Sequence, residues 1–213
     1  MPFQDRRDAG KKLSEALKTY QDKPDTIVVA LPRGGVVLGR IVADELRVPL
    51  DIVVPRKIGY PGNEEYAIGA LTETGDIIWN EEERARADKT DLEKIVEREK
   101  KEAQRRLTEY RTGMPHRNFT GKTLIVVDDG IATGMTMFAA VRSARTLGAA
   151  HIVVAIPGGP ADTIAILKND KDIDKIIVLE IPSLFFAVGG LYQTFDQVED
   201  ADVITLMNRK NDV

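Results

Sequence analysis

The sequence contains no cysteine. Disulfides, zinc fingers, iron–sulfur clusters and cysteine nucleophiles are therefore excluded. Histidine is scarce: His116 and His151 are the only two, too few for a His-rich metal centre. No apolar run reaches the roughly 18–20 residues of a membrane-spanning helix. The opening MPFQDRRDAGKKLSEALKTY lacks the apolar stretch of a secretory signal. These absences predict a soluble, cytoplasmic protein with no membrane partner. Excess positive charge is also missing. With 30 Lys and Arg against 34 Asp and Glu, the net charge is −4, which does not suit nucleic acid. Common nucleotide and hydrolase signatures fail on spacing. Gly121-Lys122-Thr123 ends like a Walker A loop, but His116 stands where a glycine is required and the triplet precedes its strand. Residues 34–39 read GGVVLG, not GxGxxG, and neither GxSxG nor HExxH occurs.

What remains is an ordinary globular mixture. The chain has 213 residues, 43% hydrophobic and 30% charged, enough for one compact core without staples. Short β-branched runs at 26–31, 50–54, 123–127, 151–156 and 175–179 read as buried strands. Helical spacing at 5–20, 36–46, 135–147 and 161–168 separates most of them. This alternation predicts an α/β fold, a mostly parallel twisted sheet flanked by helices. Residues 56–65, with Gly59, Pro61 and Gly62, read as a loop, a candidate lid. Residues 67–72 and 76–80 read as a hairpin around Thr74-Gly75. Residues 81–111 read as one long charged helix with a sparse apolar stripe, lying on the surface or against a partner subunit.

The most informative segment is LIVVDDGIATGMT, residues 124–136. A buried strand ends in Asp128 and Asp129, and a loop with Thr133, Gly134 and Thr136 opens a helix. Ligands of open α/β sheets bind beyond the carboxyl ends of the strands. A helix N-terminus suits a phosphate, Gly134 permits close approach, and the two hydroxyls add donors. Two carboxylates repel a phosphate but suit sugar hydroxyls or a hydrated Mg²⁺. A ribose 5-phosphate has both ends. An ordinary strand–turn–helix joint would need one capping residue, not two Asp and two Thr.

The segment resembles the phosphoribosyl pyrophosphate (PRPP) motif of type I phosphoribosyltransferases: a hydrophobic strand, two acids and a Thr/Gly-rich loop. Gly130 departs from it, because the residue after the acids is usually apolar; this loosens the loop. The resemblance implies a Mg²⁺-dependent enzyme of nucleotide metabolism that moves 5-phosphoribosyl from PRPP to a nitrogenous acceptor and releases pyrophosphate. A non-catalytic PRPP sensor is the alternative. It implies one domain over 1–213, with its core at about 26–180, a helical insertion at about 81–112, and a small hood at about 181–200 completed by the N-terminal segment. A homodimer is also implied.

Residue roles follow from the same resemblance. Asp128 and Asp129 hold the ribose hydroxyls or metal waters. Ala132, Thr133, Gly134, Met135 and Thr136 anchor the 5-phosphate. Pro32-Arg33-Gly34-Gly35, after the first core strand, resembles the pyrophosphate loop and implies a cis peptide at Pro32–Arg33. Arg33 stabilises the leaving group; Gly34 and Gly35 expose backbone N–H groups. Arg56 and Lys57 read either as further pyrophosphate ligands or as a solvated basic pair. Phe185, Phe186 and Tyr192, with Phe195, read either as a stacking surface for the base or as a satellite core. Ala132 occupies the position where members acting on 6-oxopurines carry an Asp, which points to another nucleobase.

Overall fold

A computed structural model describes residues 1–114 and 116–209, with Glu65 described by its backbone alone. The chain opens with α1 (Arg6–Ala16), β1 (Thr26–Ala30), α2 (Gly34–Leu46) and β2 (Leu50–Ile52). A smaller unit follows: β3 (Arg56–Tyr60), β4 (Asn63–Leu71), β5 (Ile77–Trp79), α3 (Glu81–Arg86) and α4 (Lys89–Tyr110). The chain then returns to the main sheet with β6 (Thr123–Val127), α5 (Met135–Thr146), β7 (His151–Gly158), α6 (Ala161–Lys168) and β8 (Lys175–Glu180). It ends in a mostly irregular segment and α7 (Asp200–Asn208).

The main sheet has the order β2-β1-β6-β7-β8, and every neighbouring pair is parallel. The apolar runs are near-continuous because both faces are covered. Along β1, Val28 and Ala30 join one core while Val29 and Leu31 join the other. Strand β6 repeats this, with Ile125 and Val127 on one side and Leu124 and Val126 on the other. Helices α1 and α2 supply Leu13, Val36, Leu38 and Val42 to the first core. Helices α5 and α6 supply Met137, Val141, Ile164 and Leu167 to the second. The strand order reverses between β1 and β6, the topological switch point at which such sheets bind ligands.

Three expectations need correction. Residues 56–65 are not a loop. They form most of an antiparallel hairpin in which Tyr60 pairs with Asn63. Pro61 and Gly62 are its turn, and Gly62 has φ +81°, the Pro-Gly signature of a type II turn. The charged stretch is two helices, because Asn80 and Asp88 each cap a helix start, accepting from the N–H of Glu83 and Asp91. Nor is α4 free on the surface. Leu92, Ile95, Ala103 and Tyr110 are buried, and α4 packs on β3 and α7 of its own chain. Helix α7 has no counterpart among the sequence expectations; Glu199 and Asp202 form a capping box at its start.

The β4–β5 turn is tied to the main domain by buried charge. Glu73 pairs with Arg117, their side chains 7% and 10% exposed. Glu73 also accepts from the Val54 N–H at 2.9 Å, and its own N–H donates to the Ser143 hydroxyl at 2.9 Å. Arg117 donates to the Ile52 carbonyl at 2.8 Å. Without Glu73, Arg117 keeps the longer 3.6 Å ion contact to Asp51, which is itself paired with Arg111. Glu73→Ala is expected to lower the urea-unfolding free energy by about 2–3 kcal/mol, since Asp51 compensates Arg117 in part. A loss under about 1 kcal/mol would show that the pair behaves as an exposed one.

Candidate functional site

The loops after β1 and β6 meet at the switch point. The first contains Pro32 and Arg33, joined by a cis peptide bond, and leads into α2 at Gly34. The second carries Asp128 and Asp129 and leads through Gly134 into α5. Neither N-cap residue caps its helix with a side chain. The Val36 N–H donates to the Arg33 carbonyl at 3.1 Å and the Met135 N–H reaches the Thr133 hydroxyl at 3.5 Å; the other first-turn N–H groups face the site. Gly134 has φ +76°, which favours glycine. Thr133 is exposed and Thr136 half-buried at that helix start. Ala132 is also exposed, and its carbonyl is held by the Thr163 hydroxyl at 2.8 Å.

The two loops touch with no room for a side chain between them. A Cβ on Gly34 would lie 1.9 Å from Asp129 Oδ2, and one on Gly35 2.9 Å from the Val127 carbonyl oxygen. Glycine is needed here for approach, since neither residue has a positive φ. Gly130, at φ +152°, does not loosen its loop: a Cβ there would lie 2.7 Å from Val188 Cγ1. The hood supplies the apolar group that the loop residue lacks.

The acids are locally braced. Asp128 Oδ1 accepts from the Asp129 N–H at 2.8 Å, and Asp129 Oδ2 accepts from Arg6 Nε at 2.8 Å. Burial pushes the Asp128 carboxyl well above the ordinary carboxylate range, and the neighbouring Asp129 charge adds to this. Burial also raises Asp129, opposed by Arg6. Some surface remains open, with the Asp129 side chain 15% exposed.

The other expected ligands are distributed around this centre. Arg33 Nη1 lies 3.2 Å from Glu199 and 3.6 Å from Asp200 at the start of α7. Arg56 pairs with Glu99 of α4 at 2.6 Å. Arg56 and Lys57 line a cavity of about 280 Å³ with Pro32 of the first loop and Thr136 of the second. The segment 56–60 thus reaches the same edge from the small sheet. Among the described residues, no group of three or more His, Cys, Asp or Glu side chains forms a metal cage. Mg²⁺ does not require one, since it is commonly held by one or two carboxylates, substrate oxygens and water.

The aromatics divide. Tyr192 is 1% exposed; its ring packs against Phe3 and stacks on Phe195 at 5.1 Å. Its hydroxyl donates to the Asp129 carbonyl. Of the two readings, Tyr192 fits the satellite core: it is a covered pillar under the acidic loop. Phe185 is half-buried against the core, and Phe186 is 93% exposed. Sequence reasoning missed Arg6, Glu199 and Asp200. The Arg6–Asp129 pair spans 123 positions, and no local pattern marks it. The capping box at Glu199 is made by Glu and Asp and lacks the S/T-x-x-E/Q pattern that marks a helix start in sequence.

The raised Asp128 pKa has a consequence for stability. Between the ordinary carboxylate range and the raised value, the folded protein binds more protons than the unfolded chain, so stability falls as pH rises through that window. Asp128→Asn removes this penalty. The variant is expected to have a higher urea midpoint than wild type at pH 8, with a smaller advantage at pH 5. A lower midpoint at pH 8 would contradict a buried, mutually repelling pair.

Comparison with known proteins agrees with this geometry. Residues 5–192 match the phosphoribosyl transferase domain model. Curated Mycobacterium tuberculosis proteins from strains CDC 1551 and H37Rv, provisionally named phosphoribosyl transferases, are each 38% identical over 209 residues. The alignments cover 97% of this chain and 46% of those proteins, so the chain spans about half the length of these curated relatives. The crystal structure of TT1426 from Thermus thermophilus is 37% identical, with a TM-score of 0.78, covering 97% of this chain and 98% of that one. The chain belongs to the phosphoribosyl transferase domain family.

Proposed function

We propose that the protein transfers 5-phosphoribosyl from PRPP to a nitrogenous acceptor and releases pyrophosphate. The observation that carries this is the direct apposition of two loops, one basic and glycine-rich, one acidic, at the β1/β6 switch point. A single ligand spanning both needs an anionic group at each end and hydroxyls between them. PRPP has that arrangement.

In the reaction, the acceptor nitrogen forms a bond to C1 of the ribose as the C1–oxygen bond to pyrophosphate breaks. The departing oxygen keeps the electron pair. The main task of the protein is to position the groups and stabilise changing charge. Ala132, Thr133, Gly134, Met135 and Thr136 hold the 5-phosphate at the uncapped start of α5. Asp128 and Asp129 accept from the ribose hydroxyls or from metal-bound water. Gly34 and Gly35 offer backbone N–H groups to the pyrophosphate, with Arg56 and Lys57 at the cavity wall. Arg33 also serves the pyrophosphate. Its pairing with Glu199 is partly exposed, and such pairs are weak. Asp128 and Asp129 would hold Mg²⁺, directly or through water, and the ion would supply charge neutralisation to the pyrophosphate. Phe185 and Phe186 mark the hood side from which the acceptor enters. Ala132 offers no carboxylate to a base, which favours a nucleobase other than a 6-oxopurine.

The test is pyrophosphate release from Mg²⁺ and PRPP against purines, pyrimidines and small amines. One acceptor class is expected to give turnover, and Asp128→Asn with Asp129→Asn to reduce it by about 10²–10³-fold. Undiminished turnover in that double variant would overturn the assignment. Saturable PRPP binding without turnover on any acceptor would favour the sensor.

A further inference from the structure

Arg6 belongs to the first turn of α1, yet its guanidinium reaches the centre of the site. Nε donates to Asp129 Oδ2 at 2.8 Å, and Nη1 donates to the Asp196 carbonyl at 2.6 Å. The guanidinium carbon lies 3.8 Å from the centroid of the Phe195 ring. It is therefore fixed on three sides, by the hood on two and by the acidic loop on the third. The Arg6 and Asp129 side chains are 11% and 15% exposed, so the pair is far better shielded than the surface ion pairs of α3 and α4. Asp129 is fixed at its backbone as well, where Tyr192 donates to its carbonyl. The pair also lies against the other loop: a Cβ on Gly34 would approach Arg6 Nε to 3.1 Å.

This bracing divides the oxygens of the acidic pair. Asp128 Oδ1 accepts from the Asp129 N–H, and Asp129 Oδ2 accepts from Arg6. The two carboxyls also hydrogen-bond each other, and 15% of the Asp129 side chain stays exposed. The pair thus faces a ligand as one unit, and ligand hydroxyls can take the place of the shared proton. Two adjacent hydroxyls are a matching pair of donors. Without Arg6, the Asp129 carboxylate can turn about its terminal torsion, which is intrinsically broad, and that match is lost.

We propose that Arg6 is a positioning residue that orients Asp129 to read the ribose diol, and so sets selectivity for ribose over sugars lacking those hydroxyls. This rests on the phosphoribosyl reading of the site. Arg6 does not touch the reacting atoms; it acts through Asp129. A lysine would retain the charge but not the fork that spans Asp129 and Asp196.

The experiment is titration calorimetry of ribose 5-phosphate and of 2,3-dideoxyribose 5-phosphate, which lacks both hydroxyls. Wild type, Arg6→Gln and Arg6→Lys are compared, with melting temperatures as the check on folding. Wild type is expected to prefer the ribose ligand by about tenfold or more. In Arg6→Gln the preference should fall below about threefold, with the dideoxy ligand bound as in wild type. Arg6→Lys should lie between. A preference unchanged in Arg6→Gln, or equal weakening of both ligands, would overturn the proposal and leave Arg6 a purely structural role. If wild type binds neither sugar phosphate, the phosphoribosyl reading itself fails and this inference with it. Should Arg6→Gln not fold, Phe195→Leu withdraws the ring beneath the guanidinium. It should lower the same preference, and an unchanged preference there would count against the proposal.

Discussion

The site depends on the closeness of two backbone segments. The loops after β1 and β6 meet where the strand order reverses, and Gly34 leaves no space for even one carbon before Asp129. This approach sets the rest of the local arrangement. It brings the uncapped starts of α2 and α5 to one edge, and it buries two adjacent carboxyls whose charges resist burial. A protein selected for stability alone would not keep such a pair. The surrounding structure offsets their cost, with Arg6 paired to Asp129 and the Asp129 N–H donating to Asp128.

Much of the remaining chain acts as bracing for that edge. The hood places Tyr192 under the Asp129 carbonyl and Phe195 under Arg6. The N-terminal segment joins it through an isolated bridge between Phe3 and Tyr192. On the opposite side, α7 holds Arg33 with Glu199 and takes Arg105 and Tyr110 of α4 with Asp200. Parts distant in sequence thus converge on the two loops. No helix among the described residues is long and apolar enough to cross a membrane.

The main sheet was legible because strands buried on both faces read as unbroken β-branched runs, as at 26–30 and 123–127. The acidic loop was legible because its residues are contiguous. Errors arose where meaning depended on partners elsewhere. Pro61-Gly62 was a turn signal, but the strands it joins carry charges and glycine in place of alternating apolar residues. The stripe of α4 is local and legible, while its cover, β3 and α7, comes from distant segments. Tyr192 is open to two readings in the sequence because Phe3, which covers one side of its ring, lies at the other end of the chain. Arg6 carried no local signal, since its meaning lies in an ion pair across the fold.

If both loops serve one ligand, competition calorimetry will show it, by titrating PRPP in the presence of Mg²⁺ into protein preloaded with either pyrophosphate or ribose 5-phosphate. PRPP is expected to bind more tightly than either fragment, and each fragment to weaken it. PRPP binding indifferent to pyrophosphate, and no tighter than ribose 5-phosphate, would contradict it. The protein would then be a sugar-phosphate binder using the acidic loop alone.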